Sequence, residues 1–317
     1  MNRCLCCGKP LKDGGISGWH KECVKNFFSS ETVPEIDLGE ETLEQFALIS
    51  VNKGVTVTGV QKKLPLGLSG RGGSTRLTLV GYPSGYILKP QSKEFECLPE
   101  SEWLGMLMAK ESGISTVPFA LLNHQGQYAY ITKRIDRLSG AKGTFRLAAE
   151  DFCQLDQRAS ADKYKGSCER CVKIIERFSS FPHLDKAELF FRLVFCFVIG
   201  NSDMHLKNFS LIETKDRSGK FSLSPAYGLL PVNVLMAEDE EEFALPMNGK
   251  KNNLRRKDFL LFGESCSLSK SSCEKMIRKI LSMEETYLSM VKDSFLNDDL
   301  KESFSKLIKK RCFALKE

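Results

Sequence analysis

No run in the chain approaches the roughly 18 consecutive apolar residues of a membrane helix, and its first ten residues, MNRCLCCGKP, hold no apolar signal core. These absences set aside a helical membrane protein and a secreted precursor, and a cytoplasmic location is expected. No fixed-period repeat and no low-complexity tract occur, which argues against a solenoid or an array. Charge of one sign is not in large excess. The net charge is +6 over 317 residues, too mild to require a nucleic-acid or acidic partner when a solvated surface explains it. Hydrophobic residues at 42% and charged residues at 27% are those of an ordinary globular protein with enough chain for two lobes or two modest domains.

What the sequence does have is cysteine. In a reducing compartment its twelve cysteines are expected as thiols or metal ligands rather than disulfides. Four Cys/His residues near the start have ligand spacing: Cys4-x2-Cys7, then His20-x2-Cys23 after twelve residues, with glycines between for the turn. That set suits a tetrahedral structural zinc ion. Thiols packed against the rest of the chain are the alternative, and Cys6 is a spare. The pair Cys168 and Cys171 sits in a helical pattern without a second pair, and is expected as ordinary thiols.

Residues 1–27 form this Cys/His-rich head. Residues 28–135 begin with a helix-like stretch at 38–50 and then turn strand-rich (GVTVTGVQKKLPL, STRLTLVG, GYILKP, QYAYITKRI). One helix interrupts them, PESEWLGMLMAKESG, with Pro99 and acids in its first turn and Gly113 after its end. Residues 136–317 are mainly helical, with a hairpin turning at Asp216–Gly219. The expected architecture is α+β and two-lobed, with a β-rich N-lobe and a helical C-lobe.

The densest polar cluster follows the most apolar helix. FFRLVFCFVIG (residues 190–200) runs into Asn201, Asp203, His205, Lys207 and Asn208. Phosphoryl transfer needs a carboxylate to orient the attacking hydroxyl and an amide oxygen to hold magnesium, and the Asp203-to-Asn208 spacing suits both. Lys207 could screen the moving phosphoryl group, and His205 could support the loop. A polar helix cap with a turn would use the same residues. Lys89 ends an apolar strand where a phosphate-contacting lysine would sit, and Glu100 or Glu102 on the next helix could pair with it. The segment from Thr56 to Lys63 mixes hydroxyls, Gly59 and cations between strands; its backbone amides could cradle phosphate, although neither common phosphate-loop motif is present. The basic stretch 248–259, NGKKNNLRRKDF, lacks interleaved aromatics and is expected as a solvated loop rather than a nucleic-acid site.

These motifs in this order resemble one family, the HipA-type toxin kinases of bacterial toxin–antitoxin systems. The carriers are TVTGVQKKL, YILKP, LPESEWLGMLMAKESGI, YITKRIDR, AAEDFCQLDQRASADKYKGS, LVFCFVIGNSDMHLKNFSLI and LSPAYGLLP. The match is nearest to short, HipT-like members, since little sequence precedes the phosphate loop. The resemblance implies a protein-kinase-like fold and a Ser/Thr kinase using ATP and Mg2+. Asp203 matches the catalytic base and Asn208 a magnesium ligand. The ATP site would comprise Thr58, Gly59, Val60, Gln61, Lys62, Lys63, Lys89, Glu102, the hinge Lys133, Arg134 and Ile135, and His205, Lys207 and Tyr227. Thr56 and Thr58 would be autophosphorylated in place of the family's serines. The implied protein substrate is an aminoacyl-tRNA synthetase. The implied partners are a helix-turn-helix antitoxin and a separate small protein supplying the missing N-terminal subdomain; neither membrane nor direct nucleic-acid binding is expected. One position departs from the family. Gly228 stands where its second magnesium ligand, an aspartate, is expected, so the chain is either an impaired toxin kinase or a nucleotide-binding pseudokinase acting through partners.

Overall fold

The structure is a computed structural model that describes residues 3–12, 15–36, 63–71, 74–78, 85–140 and 143–317. The helix expected over 38–50 and the phosphate-loop residues Thr56, Thr58, Gly59, Val60, Gln61 and Lys62 lie outside the described residues. The chain divides into two compact units, Met1–Trp103 with Val117–Thr144, and Leu104–Thr116 with Phe145–Glu317. The first is β-rich and the second mainly helical, as the sequence patterns require.

In the first unit, helix α1 (Lys21–Phe28) follows the Cys/His cluster. Strands β1 (Leu64–Arg71), β2 (Ser74–Thr78) and β3 (Tyr86–Pro90) come next, then helix α2 (Leu98–Glu111), which belongs to this unit up to Trp103 and to the second from Leu104, and strands β4 (Phe119–His124) and β5 (Gln127–Lys133). The five strands form one antiparallel sheet in the order β2-β1-β3-β5-β4. Alternation along β3 buries Tyr86, Leu88 and Pro90 on one face and puts Ile87 and Lys89 on the other. Strands β6 (Arg137–Gly140) and β7 (Gly143–Arg146) pair separately. Helix α2 carries acid in its first turn, favourable at the positive end of a helix dipole. Trp103, Leu104, Met106, Met108 and Ala109 are all buried, so the helix is enclosed rather than amphipathic.

The second unit opens with β8 (Ala149–Asp151), α3 (Phe152–Leu155), α4 (Cys168–Phe178) and α5 (Pro182–Ile199). The expected hairpin is present as β9 (Ser210–Glu213) and β10 (Phe221–Leu223), which with β8 makes a three-stranded sheet in the order β10-β9-β8. Helices α6 (Val232–Leu235), α7 (Arg256–Ser265), α8 (Lys270–Leu281), α9 (Glu284–Lys292) and α10 (Asp298–Lys316) complete it. The local signals behave as chemistry predicts: Ser167, Ser269 and Asn297 cap α4, α8 and α10, and Pro182 occupies the first turn of α5.

Helix α5 is the core. Phe190 stacks on Phe262, Phe195 meets Tyr287 edge-on, and Phe197 packs against Phe243 and Phe259. Burial of each such ring contributes about 1.5–3 kcal/mol, which fixes where the helix ends and therefore where the polar loop begins. Cys168 and Cys171 are core thiols, and burial pushes both well up from the ordinary thiol range. The basic stretch is neutralised locally: Lys250 pairs with Asp258 at 2.7 Å, Lys251 with Glu241 at 3.0 Å and Arg256 with Glu274.

Candidate active site

The loop after α5 closes on itself. The His205 backbone N–H donates to the Asp203 carbonyl at 2.9 Å, and the Asn208 N–H to the His205 carbonyl at 2.9 Å. Leu206 is buried and pins the turn from below. The Asn208 side-chain amide donates back to the Asp203 carbonyl at 2.6 Å, which commits its nitrogen and leaves its oxygen free to accept. The Asp203 carboxylate is 46% exposed. Its Oδ1 accepts from the Tyr164 hydroxyl at 2.8 Å, and its Oδ2 lies 3.8 Å from His205 Nε2. Lys207 turns away from Asp203 and forms a 2.6 Å ion pair with Asp151. Asp151 also caps α3 through a box with Gln154, so one carboxylate holds both a helix start and the loop lysine.

The segment carrying Gly228 is built against the same loop. Its Ala226 N–H donates to the Ser115 carbonyl at 2.7 Å just after α2. Gly105 of α2 has no side chain because a Cβ there would run into the Leu229 carbonyl oxygen. Tyr227 donates to the Lys207 carbonyl at 3.1 Å, and burial pushes its phenol up to about 12. The result is that Gly228 faces Asn208: a Cβ at 228 would lie 3.6 Å from the Asn208 side-chain oxygen. Gly228 itself has φ +68, the left-handed region that glycine occupies without strain.

The position therefore points at the amide oxygen that would share a metal, and offers no carboxylate to it. Magnesium is held by hard oxygen ligands with one or two carboxylates, so these residues fit it incompletely. The acids about ten residues further on are engaged elsewhere or exposed. Asp239 accepts from Ser202 Oγ at 2.8 Å and from the Glu241 N–H at 3.1 Å, while Glu238 and Glu240 are exposed.

In the first unit, Lys89 forms an ion pair with Glu102, whose side chain is 2% exposed against 12% for the lysine. The Lys89 ammonium also stands 5.2 Å from the centre of the Tyr130 ring. Glu102 is thus the partner, and Glu100 is not: it is buried with Oε2 lacking a hydrogen bond, and burial pushes its carboxyl up. The side chain of Lys133 donates to the Phe27 carbonyl at 3.3 Å. Arg134 grips Asp136 with two hydrogen bonds of 3.0 and 2.7 Å. Ile135 and Lys63 are half-buried.

The four-residue head cluster assembles as its spacing predicts. The ligand atoms of Cys4, Cys7, His20 and Cys23 all lie within 4.8 Å of one another. His20 Nδ1 is 3.3 Å from Cys7 Sγ, while its Nε2 lies 3.1 Å from the Pro10 carbonyl, the outer hydrogen bond that orients a metal-bound imidazole. The His20 N–H donates to Cys4 Sγ at 3.3 Å. Burial and the neighbouring thiols push Cys23 far up from the ordinary thiol range, so a cation is what would let these sulfurs ionise together. The arrangement is a Cys3His metal-binding cluster. Cys6 is outside it.

Tyr164 and Asp151 are parts of this site that sequence reasoning passed over. Asp151 had a signal, the Asp-x-x-Gln spacing of a capping box. Tyr164 had none, because its contact with Asp203 spans 39 residues.

A β-rich unit carrying a buried Lys–Glu pair, and a helical unit whose Asp–Asn loop follows its core helix, define the class of two-lobed kinase folds. The chain belongs to the family described as the HipA-like C-terminal domain, whose model matches residues 55–287. A kinase candidate of Haemophilus influenzae is 26% identical, covering 99% of this chain and 98% of that protein. The Sinorhizobium fredii kinase candidate Y4mE is 31% identical over 56% of this chain, which spans only 42% of that relative's length. Among solved structures, a chain of the Shewanella oneidensis toxin–antitoxin complex of HipA, HipB and operator DNA superposes with a TM-score of 0.70 at 18% identity, covering 89% of this chain and 74% of that one. The Helicobacter pylori proinflammatory kinase CtkA gives 0.56 at 16% identity, covering 82% and 90%.

Proposed function

We propose that the chain is a HipA-type serine/threonine kinase of a bacterial toxin–antitoxin system, of the short HipT-like kind, whose phosphoryl transfer is curtailed at Gly228. Asp203 takes the proton of the acceptor hydroxyl. Lys89, held by Glu102, contacts the nucleotide phosphates. Asn208 offers its amide oxygen to magnesium, and position 228 lacks the carboxylate that would complete the site. Loss of such a ligand costs on the order of several kcal/mol of transition-state stabilisation. The single observation carrying this reading is the Asp203–Asn208 loop with its amide oxygen facing Gly228.

The resemblance supplies the rest of the proposal: an aminoacyl-tRNA synthetase as substrate, Thr56 and Thr58 as sites of autophosphorylation, and an antitoxin like HipB as partner. Zinc is the proposed occupant of the Cys3His cluster. The second reading, a nucleotide-binding pseudokinase, is favoured by the same glycine together with the intact Lys89–Glu102 pair. Both readings require ATP binding that depends on Lys89. Titration calorimetry with ATP tests them: binding by the chain and its loss in Lys89→Met are expected, and equal binding by both proteins contradicts the assignment of Lys89.

A further inference from the structure

The Cys3His head is wired to the strand that carries Lys89. Two rungs of the β3–β5 ladder, three residues apart, are involved. In one, Tyr86 is paired with Lys133; in the other, Lys89 is paired with Tyr130, which is paired in turn with Leu121 on β4. Each rung ends on the head. The Tyr86 hydroxyl (3.2 Å) and the Lys133 ammonium (3.3 Å) both donate to one acceptor, the carbonyl oxygen of Phe27. That carbonyl lies in the last turn of α1, where carbonyls lack intrahelical partners and the helix dipole attracts a cation. On the other rung, the Leu121 N–H donates to the Leu5 carbonyl at 2.9 Å. Leu5 sits between the ligands Cys4 and Cys7, and β4 is an edge strand of the sheet, so the knuckle also covers an otherwise open edge.

Side-chain packing reinforces both anchors. Trp19, Phe27, Phe28 and Tyr86 form one aromatic cluster with ring centres 4.8–5.9 Å apart. Helix α1 is eight residues long, too short to be stable in water by itself. His20 precedes it and Cys23 lies in its first turn, so the metal fixes one end of the helix and the Phe27 carbonyl grips the ladder at the other. Strand alternation puts Tyr86 and Lys133 on the face opposite Lys89 and Tyr130.

We propose that the metal-bound head is the positioning element of the nucleotide lysine: it braces the β3–β5 ladder from behind, so that occupancy of the Cys3His site sets how firmly Lys89 is presented to nucleotide phosphates. The nucleotide part rests on the kinase reading above; the brace itself does not. Metal loss frees α1 and Leu5, releases the Phe27 carbonyl, and loosens the strands on which Lys89 and Tyr130 stand.

Hydrogen exchange by mass spectrometry on the full chain tests this, comparing zinc-loaded protein, chelator-treated protein and protein reloaded with zinc. Protection over 86–90 and 127–133 is expected to fall on stripping and return with zinc, while residues 182–199 in the second unit stay protected. Unchanged protection of the two strands, or equal loss over 182–199, overturns the brace. Tyr86→Phe guards against a head that simply unfolds: it keeps the metal and the ring but loses one anchor, and faster exchange at 86–90 is expected. Exchange identical to the parent protein overturns the role of the Phe27 carbonyl. ATP affinity measured on the same three samples is expected to fall about tenfold on stripping, equivalent to about 1.4 kcal/mol. An unchanged affinity overturns the coupling to nucleotide. No ATP binding even by the loaded chain overturns the kinase reading, and the brace is then judged on exchange alone.

Discussion

Lys89 and Glu102 make an ion pair whose two halves are unequally buried, and the inequality has a measurable consequence. Lys89→Met strands the Glu102 carboxylate at 2% exposure with no counter-charge, a loss of about 3–5 kcal/mol for breaking a buried pair from one side. Glu102→Met leaves the lysine better placed. It keeps 12% exposure and its position 5.2 Å from the Tyr130 ring, a cation–π contact worth about 0.5–2 kcal/mol. Its cost is expected at about 1–3 kcal/mol, since the ammonium retains part of its solvation. The double variant replaces the pair by apolar side chains and should fall within about 2 kcal/mol of the parent protein, giving a coupling of at least about 2 kcal/mol. Denaturant unfolding followed by tryptophan fluorescence is the assay, because both tryptophans, Trp19 and Trp103, are buried in the first unit. Additive single-variant costs, or a Lys89→Met cost no larger than that of Glu102→Met, would refute the reasoning.

Other consequences are as direct. Asp156 is buried, which pushes its carboxyl up, but Arg170 at 2.6 Å and Arg158 at 2.5 Å outweigh burial and hold it below the ordinary carboxylate range. A depressed folded-state pKa stabilises at pH values above the unfolded carboxylate pKa of about 3.9, and that contribution is lost as pH falls through the folded value. Asp156→Asn should therefore be less stable than the parent at pH 7 by about 1–3 kcal/mol, with the two curves converging in acid; parallel curves contradict the assignment. Metal analysis should find about one zinc per chain, retained in Cys6→Ser and lost in Cys23→Ser, and retention in both would exclude the ligand set. Gly105→Ala should destabilise the second unit, because its Cβ meets the backbone carbonyl of Leu229 rather than a side chain that can move; circular dichroism melting at parent temperature would contradict that packing.

How far the site could be read without coordinates depended on the range of each interaction. The Asp203–Asn208 loop was legible because a long apolar run followed by crowded polar groups marks the end of a core helix, and the Cys3His cluster because ligand spacing is local. The choice between Glu100 and Glu102 was not. Glu100 lies in the first turn of α2 and Glu102 directly after it, and only the fold turns one of them towards Lys89. Tyr164 and the Leu5–Leu121 hydrogen bond were illegible for the same reason, since each joins elements far apart in the chain. Gly228 is the opposite case. The absence of an aspartate there was legible only through the family resemblance, and the geometry of the position, a Cβ direction aimed at the Asn208 oxygen, required the fold.

That geometry supplies the most direct test of the account: intact mass after incubation with ATP and Mg2+, for the chain and for Gly228→Asp in parallel. Aspartate tolerates the left-handed backbone at 228 at a cost of about 1 kcal/mol, and its Cβ would lie 3.6 Å from the Asn208 oxygen, with the carboxylate one bond further on. The account predicts added phosphate on the aspartate form alone. Phosphate on both proteins would mean that glycine at 228 does not limit transfer. No phosphate on either, with no transfer to added protein substrate, would contradict the assignment of this site to phosphoryl transfer.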